Sequence, residues 1–155
     1  MDSCTDDEKF VAAINDMFSK EILFNRILGL KVESISYDLV KVSFQMRVEL
    51  MGHYKRGMLH GGVISSVIDV VGGLSAFMGV QQKMAGEPLE VRLEKFNRVS
   101  TIDVRVDFLR PGIGKWFVAT ANVLRTGNKI AVTRTELHND RNELIAVGTG
   151  SYVVA

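Results

Sequence analysis

Residues 60–79 read HGGVISSVIDVVGGLSAFMG, and the spacing of their apolar side chains decides the fold. At helical period Val63, Val67, Val70, Leu74 and Phe77 form one line, widened by Ile64, Ile68 and Val71. A helix apolar over most of its girth belongs in a core. The opposite stripe carries Gly62, Ser65, Asp69, Gly72 and Ala76, small residues past which a second backbone or a ligand can come close. Asp69 is the exception on it. A lone carboxylate is costly to bury, so Asp69 either caps a neighbouring loop or takes part in chemistry.

The start of this helix bears on that choice. Met58-Leu59-His60-Gly61-Gly62 offers no Ser, Thr, Asp or Asn as a cap. The first N–H groups of a helix lack internal partners and lie at the positive end of its dipole. Two glycines there admit a tight turn, or the close approach of an anion or a carbonyl. An uncapped glycine start joined to a mid-helix carboxylate marks residues 60–69 as a candidate reaction site.

Upstream, Thr5-Asp6-Asp7-Glu8 is a capping-box pattern. Phe10, Ile14, Met17 and Phe18 then predict an amphipathic helix from 6 to about 24, docked on the core, with Gly29 as its stop. From Lys31 the period falls to two. A strand over 31–37 turns at Tyr37-Asp38 into a second, whose Val40, Val42, Phe44, Met46 and Val48 face inward. Residues 51–59 read as a polar loop. Beyond the central helix, Pro88 followed by Leu89, Leu93 and Phe96 predicts a short helix, with Arg92, Lys95 and Arg98 facing elsewhere, as a solvated charged face or, in the lesser reading, for phosphate. Four strands follow, over 101–108, 115–125, 129–138 and 143–153, with turns at Arg110-Pro111-Gly112, Gly127-Asn128 and 139–142. The order predicts an α+β fold, one antiparallel sheet packed on one long helix. Residues 1–155 form a single domain, with 1–24 as an N-terminal helical addition.

Nineteen basic residues against 18 acidic leave a net charge of +1, which excludes a strong field for nucleic acid or a membrane surface. The lone Cys4 has no partner for an internal disulfide, and the acidic MDSCTDDEKF start is unlike a signal peptide. No uninterrupted apolar run reaches membrane length. A cytoplasmic protein is expected, and the reading asks for no cofactor and no metal.

His60-Gly61-Gly62, an Asp nine residues after the His, and the following strand TIDVRVDFLRPG together resemble the hotdog-fold acyl-CoA thioesterases. The nearest type is the phenylacetate-pathway (PaaI-like) one, over residues 25–154. The resemblance implies a hotdog fold, with the sheet wrapped round the central helix, and hydrolysis of acyl-CoA to free acid and CoA. It makes Asp69 the nucleophile or the general base for water, and Gly61 the N–H donor to the thioester oxygen. His60 would shape the turn beside the substrate, Gly62 would let it approach, and Thr101 would assist the water. The family tends to carry an Asn six or seven residues before the HGG histidine; here those positions hold Tyr54 and His53. His53 either takes that role or is an exposed loop histidine. Arg125 and Lys129 flank the Gly127-Asn128 turn and are candidates for the CoA phosphates, or ordinary surface charges. Two rival readings are a hotdog dehydratase or hydratase on acyl thioesters, and a non-catalytic acyl-CoA-binding module. A carboxylate on the helix after HGG favours hydrolysis.

Helix geometry adds an expectation about assembly. Asp69 lies eight residues after Gly61, about 12 Å along a regular helix. Both must reach within roughly 3 Å of one carbonyl to act on it. Either one of the two is not catalytic or they come from different chains, and the second is expected, in a homodimer at least, with a homotetramer as a further step.

Overall fold

The computed structural model describes residues 6–155, with side chains from residue 7 onward. Thr5 of the capping box and Cys4 lie outside the described residues. The helices are α1 (Asp6–Asp16), α2 (Leu23–Leu28), α3 (Gly61–Gln81) and α4 (Leu89–Glu94). The strands are β1 (Lys31–Ile35), β2 (Leu39–Gln45), β3 (Met51–His53), β4 (Met58–Leu59), β5 (Ser100–Phe108), β6 (Trp116–Thr126), β7 (Ile130–Asn139) and β8 (Leu144–Val153).

Six strands form one antiparallel sheet in the order β1-β2-β6-β7-β8-β5, and β3 pairs with β4 apart from it. Helix α3 lies against the sheet, touching β2 and all four of β5 to β8. Its apolar line is inside as expected: Val67, Ile68, Val71, Leu74 and Phe77 are buried, facing Val40, Val42 and Phe44 of β2 and Phe117 and Ala119 of β6. Gly148 on β8 sets how closely the helix lies. A Cβ there would stand 2.2 Å from Ile68 Cγ2. One expectation fails here, because Gly61–Met84 is long and apolar enough to span a bilayer, with mean hydropathy 1.8. The sheet explains that apolarity: the stretch is the core helix, most of it buried inside the protein.

The N-terminal helix docks through Phe10, Ile14 and Phe18, and the Phe10 and Phe77 rings stack at 6.2 Å. It is not one helix. After Asp16 comes a π-helical turn over Met17–Glu21, then a break at Ile22 (φ −78°, ψ 102°), then α2, stopped by Gly29 at φ 71°. The Asn25 amide donates to the Phe18 carbonyl at 2.9 Å and ties the break together.

Three further expectations change. Strand β2 ends at Gln45, paired with Trp116 at the start of β6, so Val48 has no partner and is 77% exposed while Leu50 takes the buried place. Residues 51–59 are the β3–β4 hairpin rather than a loop, with Met51 opposite Leu59. Arg92 is buried, not solvated. Its guanidinium lies 3.8 Å above the Phe10 ring and donates to Gln81 Oε1 and Tyr37 Oη, with Asp7 at 3.4 Å. An arginine can cover apolar surface with its stem and stack its head on an aromatic face, and Arg92 thereby staples α1 to α4.

Strand β5 keeps its alternation but forms an edge of the sheet. Ile102 and Phe108 remain 50% and 55% exposed, since α3 covers only the middle of the strand. Its outer backbone groups face no strand among the described residues.

Candidate active site

Asp69 stands in the third turn of α3, half-buried, facing the beginning of β5. There the Thr101 hydroxyl donates to Asp69 Oδ1 at 2.9 Å. The structure thus brings together two of the residues expected to act together. One carboxylate oxygen is held by Thr101.

A third residue completes this cluster, and sequence reasoning passed over it. Tyr152 on β8 sits opposite Thr101 in the sheet and donates its hydroxyl to the Asp69 backbone carbonyl at 2.9 Å. The ring is 1% exposed. Burial, and then the negative charge of Asp69, push the phenol above its ordinary range, so it stays a protonated donor. Three glycines make room for it. A Cβ at Gly72 would lie 2.4 Å from Tyr152 Oη, one at Gly150 2.5 Å from the same atom, and one at Gly73 3.4 Å from Cε1. Part of the small-residue stripe therefore serves a side chain of the same protein. The available signal was a lone aromatic in the small-residue strand GTGSY, facing a glycine pair on the helix.

Two cavities meet at Asp69 and Thr101. One, of about 200 Å³, runs between α3, the N-terminal segment and the α4–β5 connection, with apolar walls that include Leu74, Phe96 and Val99. The other, of about 400 Å³, is open along β5 and polar, with Ser65, Ser66 and Asp103 in its lining.

The start of α3 is capped after all. His60 Nδ1 accepts from the Gly62 N–H at 2.8 Å, and the His60 carbonyl accepts from Val63 and Ile64. An imidazole acceptor does here what Ser or Asp usually does. A Cβ at Gly62 would come within 2.9 Å of that nitrogen, so the cap requires glycine. With Gly62 committed to His60, the Gly61 N–H is the donor left without a partner among the described residues. The Phe108 ring lies close by, 3.5 Å from where a Gly61 Cβ would be.

The β3–β4 hairpin packs on this helix start, since a Cβ at Gly52 would lie 2.8 Å from His60 Cα. His53, next in the chain, is exposed at the end of β3. In the hairpin it pairs with Met58, with no hydrogen bond to Asp69 or Thr101 among the described residues. Arg125 and Lys129 are exposed and flank the β6–β7 turn. Ile130 pairs with Val153 and Val153 with Ser100, so this turn lies at the Thr101 end of the sheet, two strands away. That is about 10 Å.

The hydrogen-bonded residues thus form two groups, Asp69–Thr101–Tyr152 and the His60–Gly62 start of α3. Between them the helix is uninterrupted.

Comparison with known proteins gives the family of the chain. The family model of the thioesterase superfamily matches residues 56–146. The medium/long-chain acyl-CoA thioesterase YigI of Escherichia coli K12 is 38% identical over 150 residues, covering 95% of each chain. A crystallised Shewanella oneidensis protein related to the thioesterase superfamily is 39% identical, covers 95% of this chain and 96% of its own, and superposes with a TM-score of 0.90. A crystallised protein of Syntrophus aciditrophicus reaches 54% identity over 96% of this chain and 98% of its own, with a TM-score of 0.87.

Proposed function

The chain belongs to the thioesterase superfamily and has its hotdog fold, and from that premise we propose that it hydrolyses medium- to long-chain acyl-CoA to free acid and CoA. One observation carries the reading: a Thr101-held carboxylate, Asp69, stands where an apolar cavity meets an open polar cleft. An acyl chain suits the first cavity and the rest of the thioester the second. Asp69 takes a proton from a water held between its carboxylate and Thr101, and that water adds to the thioester carbon. The tetrahedral intermediate collapses, expels CoA as thiolate, and the thiolate takes up a proton. A thiolate is a good leaving group, so a carboxylate base suffices. Charge on the carbonyl oxygen is met by the Gly61 N–H at the positive end of α3.

That donor comes from a second copy of the chain. Eight residues of unbroken helix hold Gly61 about 12 Å from its own Asp69, too far to share one carbonyl. The open β5 edge, with Ile102 and Phe108 half exposed, suits pairing with its own copy about a two-fold axis. His60 and Gly62 hold the donor's turn, and His53 belongs to the β3–β4 hairpin that packs on it through Gly52. Arg125 and Lys129 take the CoA phosphates. The PaaI-like subtype, a role in fatty acid metabolism and a cytoplasmic location complete the reading, the last supported by a chain with one cysteine.

Thiol release from a panel of acyl-CoA substrates tests the activity. Hydration without thiol, or binding alone, would establish the dehydratase or the binding module instead. Single turnover in ¹⁸O-water bears on base against nucleophile, because label in Asp69 requires an anhydride that water opens at the Asp69 carboxyl carbon, and a general base cannot acquire it. Complementation tests the shared site: Asp69→Asn and Gly61→Pro chains, each inactive, should recover about a quarter of wild-type activity when mixed equally, since each of half the dimers has one intact site. No recovery despite verified exchange would refute it.

A further inference from the structure

We propose that the interrupted N-terminal helix is the outer wall of the acyl pocket, and that Ile22 and Phe24 set the length of chain it accepts. This rests on the thioesterase reading and extends it to the substrate. The apolar cavity is lined by Asp69 and Thr101 from α3 and β5 and by Phe18, Ile22, Phe24 and Asn25 from the N-terminal segment. Phe18 comes from the π-turn, Ile22 from the break that follows it, and Phe24 and Asn25 from the first turn of α2, so the departure from a regular helix occurs where the chain lines the cavity.

Each wall residue has a distinct part. Phe18 is fully buried and belongs to the core, and Asn25, also fully buried, pins the turn through its bond to the Phe18 carbonyl. Ile22, partly buried, sits at the break in extended conformation. Phe24 is 48% exposed and forms the outermost part of the lining. The first two fix the wall, and the second two face what it encloses.

The cavity volume is about 200 Å³. A water takes roughly 30 Å³ of liquid, and a methylene about the same, so the space holds some six or seven methylenes beyond a carbonyl at Asp69. Longer chains must press outward past Ile22 and Phe24. The matching relative named for medium and long chains is aligned over 95% of this chain. The alignment therefore leaves about eight residues uncovered and reaches across this wall.

The test compares kcat/KM over acyl-CoA of four to sixteen carbons for wild type, Ile22→Trp and Phe24→Ala. Tryptophan in place of isoleucine fills the space of roughly two methylenes, and each excluded methylene is worth about fourfold. Ile22→Trp should therefore lose about fifteenfold on dodecanoyl-CoA and change butanoyl-CoA less than twofold. Phe24→Ala, at a half-exposed position that tolerates truncation, should move the optimum to longer chains. A second measurement does not depend on turnover: dissociation constants of the same acyl-CoA series for the Asp69→Asn chain, with and without each wall substitution. Equal effects at all chain lengths, in turnover or in binding, would overturn the wall assignment while leaving hydrolysis standing. Absence of thiol release from any wild-type reaction would sink the hydrolase reading instead, and the binding series would still decide the wall.

Discussion

Replacing Gly72 by alanine tests the Tyr152–Asp69 contact most directly, because two opposed effects can be weighed. In an exposed helix, Gly→Ala stabilises by about 1 kcal/mol through propensity alone. Here the new methyl would stand 2.4 Å from Tyr152 Oη and 2.9 Å from Thr133 Oγ1, where ordinary contact begins at 3.4 Å. The phenol must retreat by about 1 Å, yet its ring is 1% exposed and Gly150 leaves no slack behind the hydroxyl. A retreat of that size takes the 2.9 Å bond to the Asp69 carbonyl beyond hydrogen-bond range. Overpacking costs about 1–3 kcal/mol and the lost bond about 0.5–1.5 kcal/mol. Against the propensity gain, the net loss is about 0.5–3.5 kcal/mol, or several degrees in Tm for a domain of this size. Turnover should fall roughly tenfold or more, since misplacing a catalytic group by an ångström can cost about a hundredfold, while KM changes little. Calorimetry and thiol release measure the two. Adding Tyr152→Phe removes the nearest clashing atom, so the double variant should be more stable than Gly72→Ala alone. A Gly72→Ala protein at least as stable as wild type, with normal kcat, would show that propensity decides and that Tyr152 positions nothing.

Asp69→Asn should lower kcat by ~10²–10⁴-fold with the fold intact, the span usual for a general base, and Thr101→Ala should do less harm. If Thr101→Ala proves the worse of the two in the same thiol assay, their roles are reversed. His60→Ala removes the cap on Gly62 and should cost about 0.5–2 kcal/mol in urea denaturation, with kcat falling because the Gly61 turn loosens. Glu143 lies at the β7–β8 turn, where the Asn139 side chain first, and then Arg141, hold its carboxyl below the ordinary range. Its contribution is present above the usual glutamate range and lost as pH falls through the lowered value. Thermal melts should therefore show wild type losing stability in acid more steeply than Glu143→Gln.

The long helix and the strand meander are legible in the sequence because they rest on repetition. Val63 to Phe77, or Val40 to Phe44, repeat one choice several times, and burial enforces each. Asp69 and Thr101 are legible as a pair only through the HGG pattern, since they lie 32 residues apart and nothing local to either announces the other. What escapes is set by partners across the fold. Arg92 reads as a surface charge until Phe10 lies beneath it, and Val48 continues a perfect alternation past the point where β6 begins. His60 is outside the usual set of capping residues, and its ring nitrogen becomes a cap only because Gly62 brings its N–H within reach. The break at Ile22 has no glycine or proline to mark it, being held by an amide three residues later.

The staple between Asp7 and Arg92 also constrains how the chain is made. Its two ends are 85 residues apart, and at about 5–20 residues per second a ribosome needs roughly 4–17 seconds to travel from one to the other. For most of that interval Phe10, Ile14 and Phe18 have neither Phe77 nor Arg92 to pack against, and the first helix emerges with its apolar face bare. Nascent chains arrested before Arg92 should therefore be cleaved by protease within residues 10–24, and arrest further along should protect them. The segment that walls the acyl cavity is among the first made and must wait for residues near the middle of the chain before it can take its place.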